Sequence, residues 1–447
     1  MLYKEKGGLP PMKLNTKRTV LVGLAFLSIT AFWQLYDNVV PLILKNTFHI
    51  PDDLAGVIMA LDNILALFLL PLFGKLSDGC HTRLGKRMPF ILGGTAAAVV
   101  LMNLLPLADR VGSLPLFVVA LGLLLIAMGT YRSPAVALMP DVTPKPLRSK
   151  GNAIINLMGA LGGVFTLAVT GFLVTRDAGG RENYTALFLA VSALMLVAVV
   201  VLLATIRENK LTAETDQINA RLDADEPELA AQPEAQSSGF RALPPDLRRS
   251  LALILVSVSL WFMGYNAVTT AFTKYMSVQW GYDIKAASQC LMVATVGAVV
   301  SYIPIGALSS RFGRKRMIQA GVLLLAGSFA LAALFPTFHP AAYALFALVG
   351  VAWSMINVNS YPMVVEISKA SEVGKFTGYY YTFSMAAQIA TPILSGWLLE
   401  HVGYHTLFPY AALMMAASFV TISLTKHGDS RPPKPASRLE AFDAGDD

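Results

Sequence analysis

The chain has 447 residues, of which 55% are hydrophobic and only 14% charged, with a formal net charge of +7. Soluble proteins carry about 25% charged residues, so this composition excludes a soluble enzyme or binding domain and sets the class as an all-α polytopic membrane protein. The basic surplus has no aromatic-interleaved soluble domain with which to hold nucleic acid, Cys80 and Cys290 make neither a disulfide framework nor a metal spacing, and no G-x-x-x-x-G-K-[ST] phosphate loop is present for ATP.

In chain order, residues 1–18 are polar and carry Lys4, Lys6, Lys13, Lys17 and Arg18. The apolar run that follows, to Leu44, is too long for a signal-peptide core of ~7–15 residues and reads as a retained first span. Further spans are predicted near 54–73, 89–107, 115–139, 152–175 and 185–206. Residues 207–247 then turn to Glu, Asp, Ala, Gln and Pro, a composition unable to bury a core, and read as a cytoplasmic linker. A second set of spans is predicted near 250–273, 285–308, 317–335, 341–364, 377–399 and 406–425. The chain thus divides into 1–206, a linker at 207–247, and 248–447. With both termini placed in the cytoplasm, most of the 35 Lys and Arg fall on the cytoplasmic side.

Between the second and third spans, residues 74–90 read GKLSDGCHTRLGKRMPF and crowd Lys75, Asp78, Arg83, Lys86 and Arg87 into one island. Hydrocarbon could not hold that charge, so the stretch is a loop in water. Asp78 can cap a helix or pair with an arginine, while Gly74 and Gly85 permit close approach and a tight turn. The pattern G-x-L-S-D-x-x-x-x-R-x-G-K-R resembles the loop between helices 2 and 3 of the major facilitator superfamily of transporters. That resemblance implies twelve transmembrane helices in two pseudo-symmetric six-helix bundles, with a substrate site between them near the midplane. Internal repetition points the same way. FWQLYDNVV in the first span and LWFMGYNAV in the seventh align Tyr36-Asp37 with Tyr265-Asn266, and GALSSRFGRKR after the eighth span is a shortened echo of the loop, with Ser310 in place of Asp78.

Ionisable groups in hydrocarbon cost roughly 2.5–3.5 kcal/mol on insertion scales, so each needs a reason. Asp37 and Asp62 lie at similar depth in the first two spans and could face one another or line one cavity. Two close carboxylates can hold one proton between them, the property that proton coupling needs; a structural helix-to-helix hydrogen bond is the alternative. Arg132, preceded by Tyr131 in the fourth span, is the only basic residue expected well inside a span; it reaches the carboxylates directly, through substrate or a network, or else serves Asp141. Aromatic and amide groups recur at helical spacing: Trp33 with Tyr36 and Asp37, Trp261 with Tyr265 and Asn266, Trp353 with Asn357 and Tyr361, and Tyr380 with Ser384 and Gln388. Such faces suit a polyol, since rings stack on sugars while amides and charges bond hydroxyls; membrane packing is the alternative.

Two segments, PLFGKLSDGCHTRLGKRMPFILGG and PAVALMPDVTPKPLRSKGNAI, are similar to the glycoside-pentoside-hexuronide cation symporters and the related sucrose/proton symporters. The resemblance places Asp37 where that family has an acidic sugar ligand, and Arg132 where melibiose-type members have another, which sets the galactoside preference aside. It aligns the sodium-site carboxylates of those members with Leu70 and Ala66, so the proton is the expected coupling ion and no other cofactor is expected.

These readings converge on a proton-coupled symporter of a sugar or glycoside working by alternating access, with the loop of Gly74, Asp78, Arg83, Gly85, Lys86 and Arg87 latching one state. An exporter or lipid-like solute transporter, and a non-transporting sensor, are the alternatives; an enzyme is not expected, for want of a nucleophile constellation or metal-binding histidine pair. The expected partners are a small-molecule substrate and the bilayer, without nucleic acid or an obligate protein partner, in the cell inner membrane with both termini cytoplasmic.

Overall fold

A computed structural model describes residues 14–144, 147–176, 180–225, 243–367 and 373–428. The N-terminal half consists of α1 (Thr16–Asn46), α2 (Asp52–Asp78), α3 (Met88–Val111), α4 (Leu114–Asp141), α5 (Arg148–Leu173) and α6 (Thr185–Thr205). A further helix, α7 (Glu208–Asp225), follows directly. The C-terminal half consists of α8 (Pro245–Val278), α9 (Ile284–Phe312), α10 (Arg314–Ala333), α11 (Ala341–Glu366), α12 (Val373–His401) and α13 (Leu407–Ser423), with a 3-10 turn at Tyr404–Thr406. Between α5 and α6, β1 (Thr175–Arg176) and β2 (Glu182–Asn183) form a short antiparallel pair in the register Thr175↔Asn183.

Eleven of these helices are long and apolar enough to cross a membrane. Helix α12 is as long, but its run GYYYTFSMAAQ lowers its hydropathy. Interior prolines, among them Pro41, Pro71, Pro106, Pro304 and Pro392, are tolerated because neighbouring helices and side chains re-satisfy the freed backbone groups.

Packing repeats what the sequence echo suggested. In the first half α1 packs on α5 and α6, α2 on α4, and α3 on α4 and α6. In the second half α8 packs on α12 and α13, α9 on α11, and α10 on α11 and α13, the same scheme displaced by one bundle. Each bundle also has its own apolar core, one centred on Phe32, Met102, Leu124 and Phe188, the other on Trp261, Phe272, Phe346 and Phe408. Contacts between halves obey the same symmetry: α2 meets α12, its counterpart pair α5 meets α9, and α1 meets α8. Two glycines make the α2–α12 seam tight. A Cβ on Gly56 would stand 2.0 Å from the Pro392 carbonyl oxygen, and one on Gly396 2.4 Å from that of Asp52.

The cytoplasmic linker expected at 207–247, unable to bury a core of its own, contains a helix in its first part that packs on the first bundle. Residues 208–225 are helical because ENKLTAETDQINARLDAD is rich in helix formers and sets Leu211, Thr215 and Asn219 on one stripe, with Leu211 packed on the N-terminal core. Its partner edge at 226–242 lies outside the described residues. Helix α8 likewise runs past the expected end of its span at 273, to Val278, so Lys274, 5% exposed, lies one turn inside the helix end.

Candidate functional site

Three helices of the N-terminal half bring the expected charges together. Helix α1 carries Trp33, Tyr36 and Asp37, α2 carries Asp62, and α4 carries Arg132. Asp62 lies at the centre: it is within electrostatic reach of both Asp37 and Arg132. Arg132 places its guanidinium carbon 5.7 Å from the Trp33 ring centroid, a cation-π arrangement. Among the described residues, none of the three charged side chains forms an ion pair within 4.0 Å; Asp62 accepts a hydrogen bond from Asn63 Nδ2 at 2.8 Å. The Trp33 indole N–H and the Tyr36 hydroxyl are buried without a hydrogen-bond partner. Buried polar groups are nearly always paired, and these two stand unpaired on the helix that carries Asp37.

The counterpart helix in the second half supplies aromatic surface. Tyr265 on α8 stacks on Trp353 of α11 with centroids 3.7 Å apart and planes 8° from parallel, and Phe262 meets Trp353 edge-on at 5.5 Å. Asn266 keeps its Nδ2 buried and unpartnered, while its carbonyl accepts from Thr270 Oγ1 at 2.7 Å. Asn357, one turn beyond Trp353, accepts at its carbonyl from Ser360 Oγ at 3.3 Å. Contact between two symmetry-equivalent helices, α1 and α8, puts their meeting line at the pseudo-two-fold axis. Both Tyr36-Asp37 and Tyr265-Asn266 stand on those two helices.

Other expected members are committed elsewhere. Tyr131 is fully buried, and its hydroxyl donates to the Ala25 carbonyl at 2.9 Å and bonds the Ser28 hydroxyl, so it ties α4 to α1 and has nothing left for a substrate in this state. Trp261 lies inside the second core, and Tyr380, likewise fully buried, shares a 2.9 Å hydrogen bond with Ser360. The alternative of Arg132 serving Asp141 does not occur, because Asp141 is taken by Arg87 Nε at 2.8 Å and Lys86 Nζ at 3.1 Å.

The charged loop is organised around Arg87. Its guanidinium bonds Asp78, Ser77 Oγ and Asp141 and reaches the Gly74 carbonyl at 3.3 Å. Burial presses against the charge of Arg87, but the hydrogen bond and charge of Asp141, and then those of Asp78, outweigh it and hold the guanidinium above its ordinary value. Asp78 is thus an arginine partner, and the helix cap comes from a residue the sequence reading passed over. Glu208, the first residue of α7, accepts from the backbone N–H groups of Lys86 at 2.9 Å, Arg87 at 2.9 Å and Met88 at 2.9 Å, closing the N-terminus of α3. Gly85, at φ +127°, lies so close that a Cβ would stand 2.1 Å from Glu208 Oε2. Asn209 Nδ2 adds a bond to the Thr82 carbonyl at 2.9 Å, while Arg83 stays exposed. Among the described residues these contacts stay within the first half and α7, so the expected latch does not join the two halves in this state.

A family model described as Major Facilitator Superfamily matches residues 22–300 and 254–444. The chain belongs to the major facilitator superfamily. Among curated superfamily relatives, Proton-associated sugar transporter A of Homo sapiens is 31% identical over 198 residues, covering 40% of this chain and 26% of the relative. Sucrose transport protein SUC4 of Arabidopsis thaliana is 27% identical over 175 residues, covering 36% and 34%. The matched stretches therefore span about a quarter to a third of these relatives' length. Solved structures share the fold over nearly the whole chain: a D-xylose-proton symporter has a TM-score of 0.64 at 15% identity, covering 92% of this chain and 97% of that one. The xylose transporter XylE from E. coli, in an inward-open conformation, has a TM-score of 0.67 at 15% identity, covering 96% and 98%.

Proposed function

We propose that the chain is a secondary active transporter, a proton-coupled symporter of a sugar or glycoside that works by alternating access. The observation that carries this reading is the unpaired trio of Asp37, Asp62 and Arg132, set beside the unspent Trp33 and Tyr36 donors. Charges left without ion pairs in a membrane helix are costly and mark a pathway for ions or polar substrates. A substrate's hydroxyls would take up the free donors of Trp33, Tyr36 and Asn266, and a sugar face would pack against the Tyr265–Trp353 stack. Asp37 would carry the proton, with Asp62 relaying its charge state to Arg132.

Support for the substrate class also comes from the relatives named for proton-associated sugar and sucrose transport. With the chain's basic residues inside, both termini are cytoplasmic and the loop 47–51 faces out. The tight Gly56–Gly396 seam between the halves then lies toward the outer side.

The test is uptake of labelled sucrose, maltose and other glycosides into proteoliposomes under an imposed inward proton gradient or an inward sodium gradient. Accumulation driven by protons and not by sodium is the expected result. A folded protein that accumulates no glycoside under either gradient would overturn the assignment.

A further inference from the structure

Among the described residues, a dense set of polar contacts between the two halves surrounds Asp52, the first residue of α2, which is completely buried. Lys274 of α8, across the interface, places Nζ 2.9 Å from Asp52 Oδ1 and is itself 5% exposed. The Tyr404 hydroxyl, also from the second half, donates to Asp52 Oδ2, and Lys45 of α1 reaches the same oxygen at 3.2 Å. The backbone N–H of Asp52 in turn donates to Glu400 Oε2 of α12 at 2.7 Å, so a carboxylate from one half caps a helix of the other. Lys45 also approaches Glu400, at 3.7 Å. Directly beside this cluster runs the Gly56–Gly396 seam, and a small cavity lined by Pro41, Met59, Thr270, Lys274 and Ser395 adjoins it.

We propose that Asp52 and Lys274 are the hub of a gate that closes the outer end of the transport path. In the state shown the gate is shut, and separation of α2 from α12 would break Asp52–Lys274, Asp52–Tyr404 and the Glu400 cap together. The energetics suit a gate. Desolvation of a buried ion pair offsets much of its Coulomb gain, so the intact pair closes the path without locking it. Removing one partner penalises only the closed state, because that state alone leaves the other charge buried and unpaired. The route from site to gate is one helix face: Asn266, Thr270 and Lys274 follow one another at four-residue spacing on α8, with Thr270 Oγ1 bonded to the Asn266 carbonyl. A substrate drawn to Asn266 would therefore bear on the segment that carries the gate lysine.

What the gate controls rests on the alternating-access reading, but its test does not depend on the sugar. Met59→Cys, a position 6% exposed beside the cavity, is introduced with Cys80→Ser and Cys290→Ala, and its alkylation by a membrane-impermeant maleimide is timed from outside intact cells. The Asp52→Asn variant is expected to label about tenfold faster or more, since a neutral partner strands Lys274 in the closed state. Adding Lys274→Met to Asp52→Asn should return the rate toward that of the parent, because neither buried charge then remains to be stranded. Gly396→Ala, which wedges the seam without touching a charge, should also speed labelling. Size-exclusion elution of each purified variant reports whether it is folded. Labelling unchanged by Asp52→Asn and Gly396→Ala in folded protein would overturn the proposal, as would a double variant that labels faster than Asp52→Asn alone. Rapid labelling of the parent would also overturn it. Because alkylation is read rather than uptake, failure of the sugar assignment would leave these outcomes unchanged.

Discussion

Replacing Glu208 by alanine would test whether the stretch after α6 is a passive connection or part of the first bundle. The carboxylate, 1% exposed, accepts from three successive backbone N–H groups at the start of α3, at Lys86, Arg87 and Met88. Those are groups that a helix N-terminus leaves without internal partners. An unsatisfied buried donor costs roughly 1–3 kcal/mol, and Lys86 is only partly buried, so water can recover part of the loss there. The net penalty for Glu208→Ala is then on the order of 3 kcal/mol. Thermal unfolding of the purified full chain in detergent should show Tm lowered by about 3 °C. Glu208→Gln keeps one side-chain acceptor oxygen but loses the charge that favours the helix N-terminus, and should fall between alanine and the parent. A Tm for Glu208→Ala within about 1 °C of the parent would refute the capping role.

Two further outcomes follow from the geometry. Gly85→Ala meets both a positive φ and the Glu208 carboxylate, so it should lower Tm at least as far as Glu208→Ala, and the pair combined should be less than additive. Trp353→Ala removes one face of the Tyr265 stack, worth about 0.5–1.5 kcal/mol beyond area burial. It should therefore raise the KM for glycoside uptake by roughly twofold to tenfold while leaving the choice of coupling ion unchanged; an unaltered KM would place the sugar elsewhere.

The fold was legible because its signals are long-range in sequence but simple in chemistry. Apolar runs of membrane length gave the spans, and the YD/YN echo gave the two halves that the packing of α1–α5 and α8–α12 repeats. Part of the candidate site was legible for a related reason: Asp37, Asp62 and Arg132 are conspicuous in hydrocarbon, and the structure brings Asp62 within electrostatic reach of the other two. What escaped the sequence were groups whose meaning lies in their partner. Glu208 reads as one acid in an acidic linker until the α3 N-terminus is seen beside it. Asp52 and Lys274 each sit at the expected edge of a span, where charge is ordinary, and only the meeting of halves buries both. Tyr131 misled in the opposite direction: its place beside Arg132 suggested the site, yet adjacent helix residues point about 100° apart, and its hydroxyl is held by α1.

The central claim is that Asp37 couples proton movement to sugar movement, and Asp37→Asn in proteoliposomes tests it most directly. The account predicts that proton-driven accumulation of glycoside is lost while exchange of labelled for unlabelled glycoside at equilibrium is retained, because exchange needs the site but no net proton transfer. Gradient-driven accumulation at the parent's rate by Asp37→Asn would contradict it.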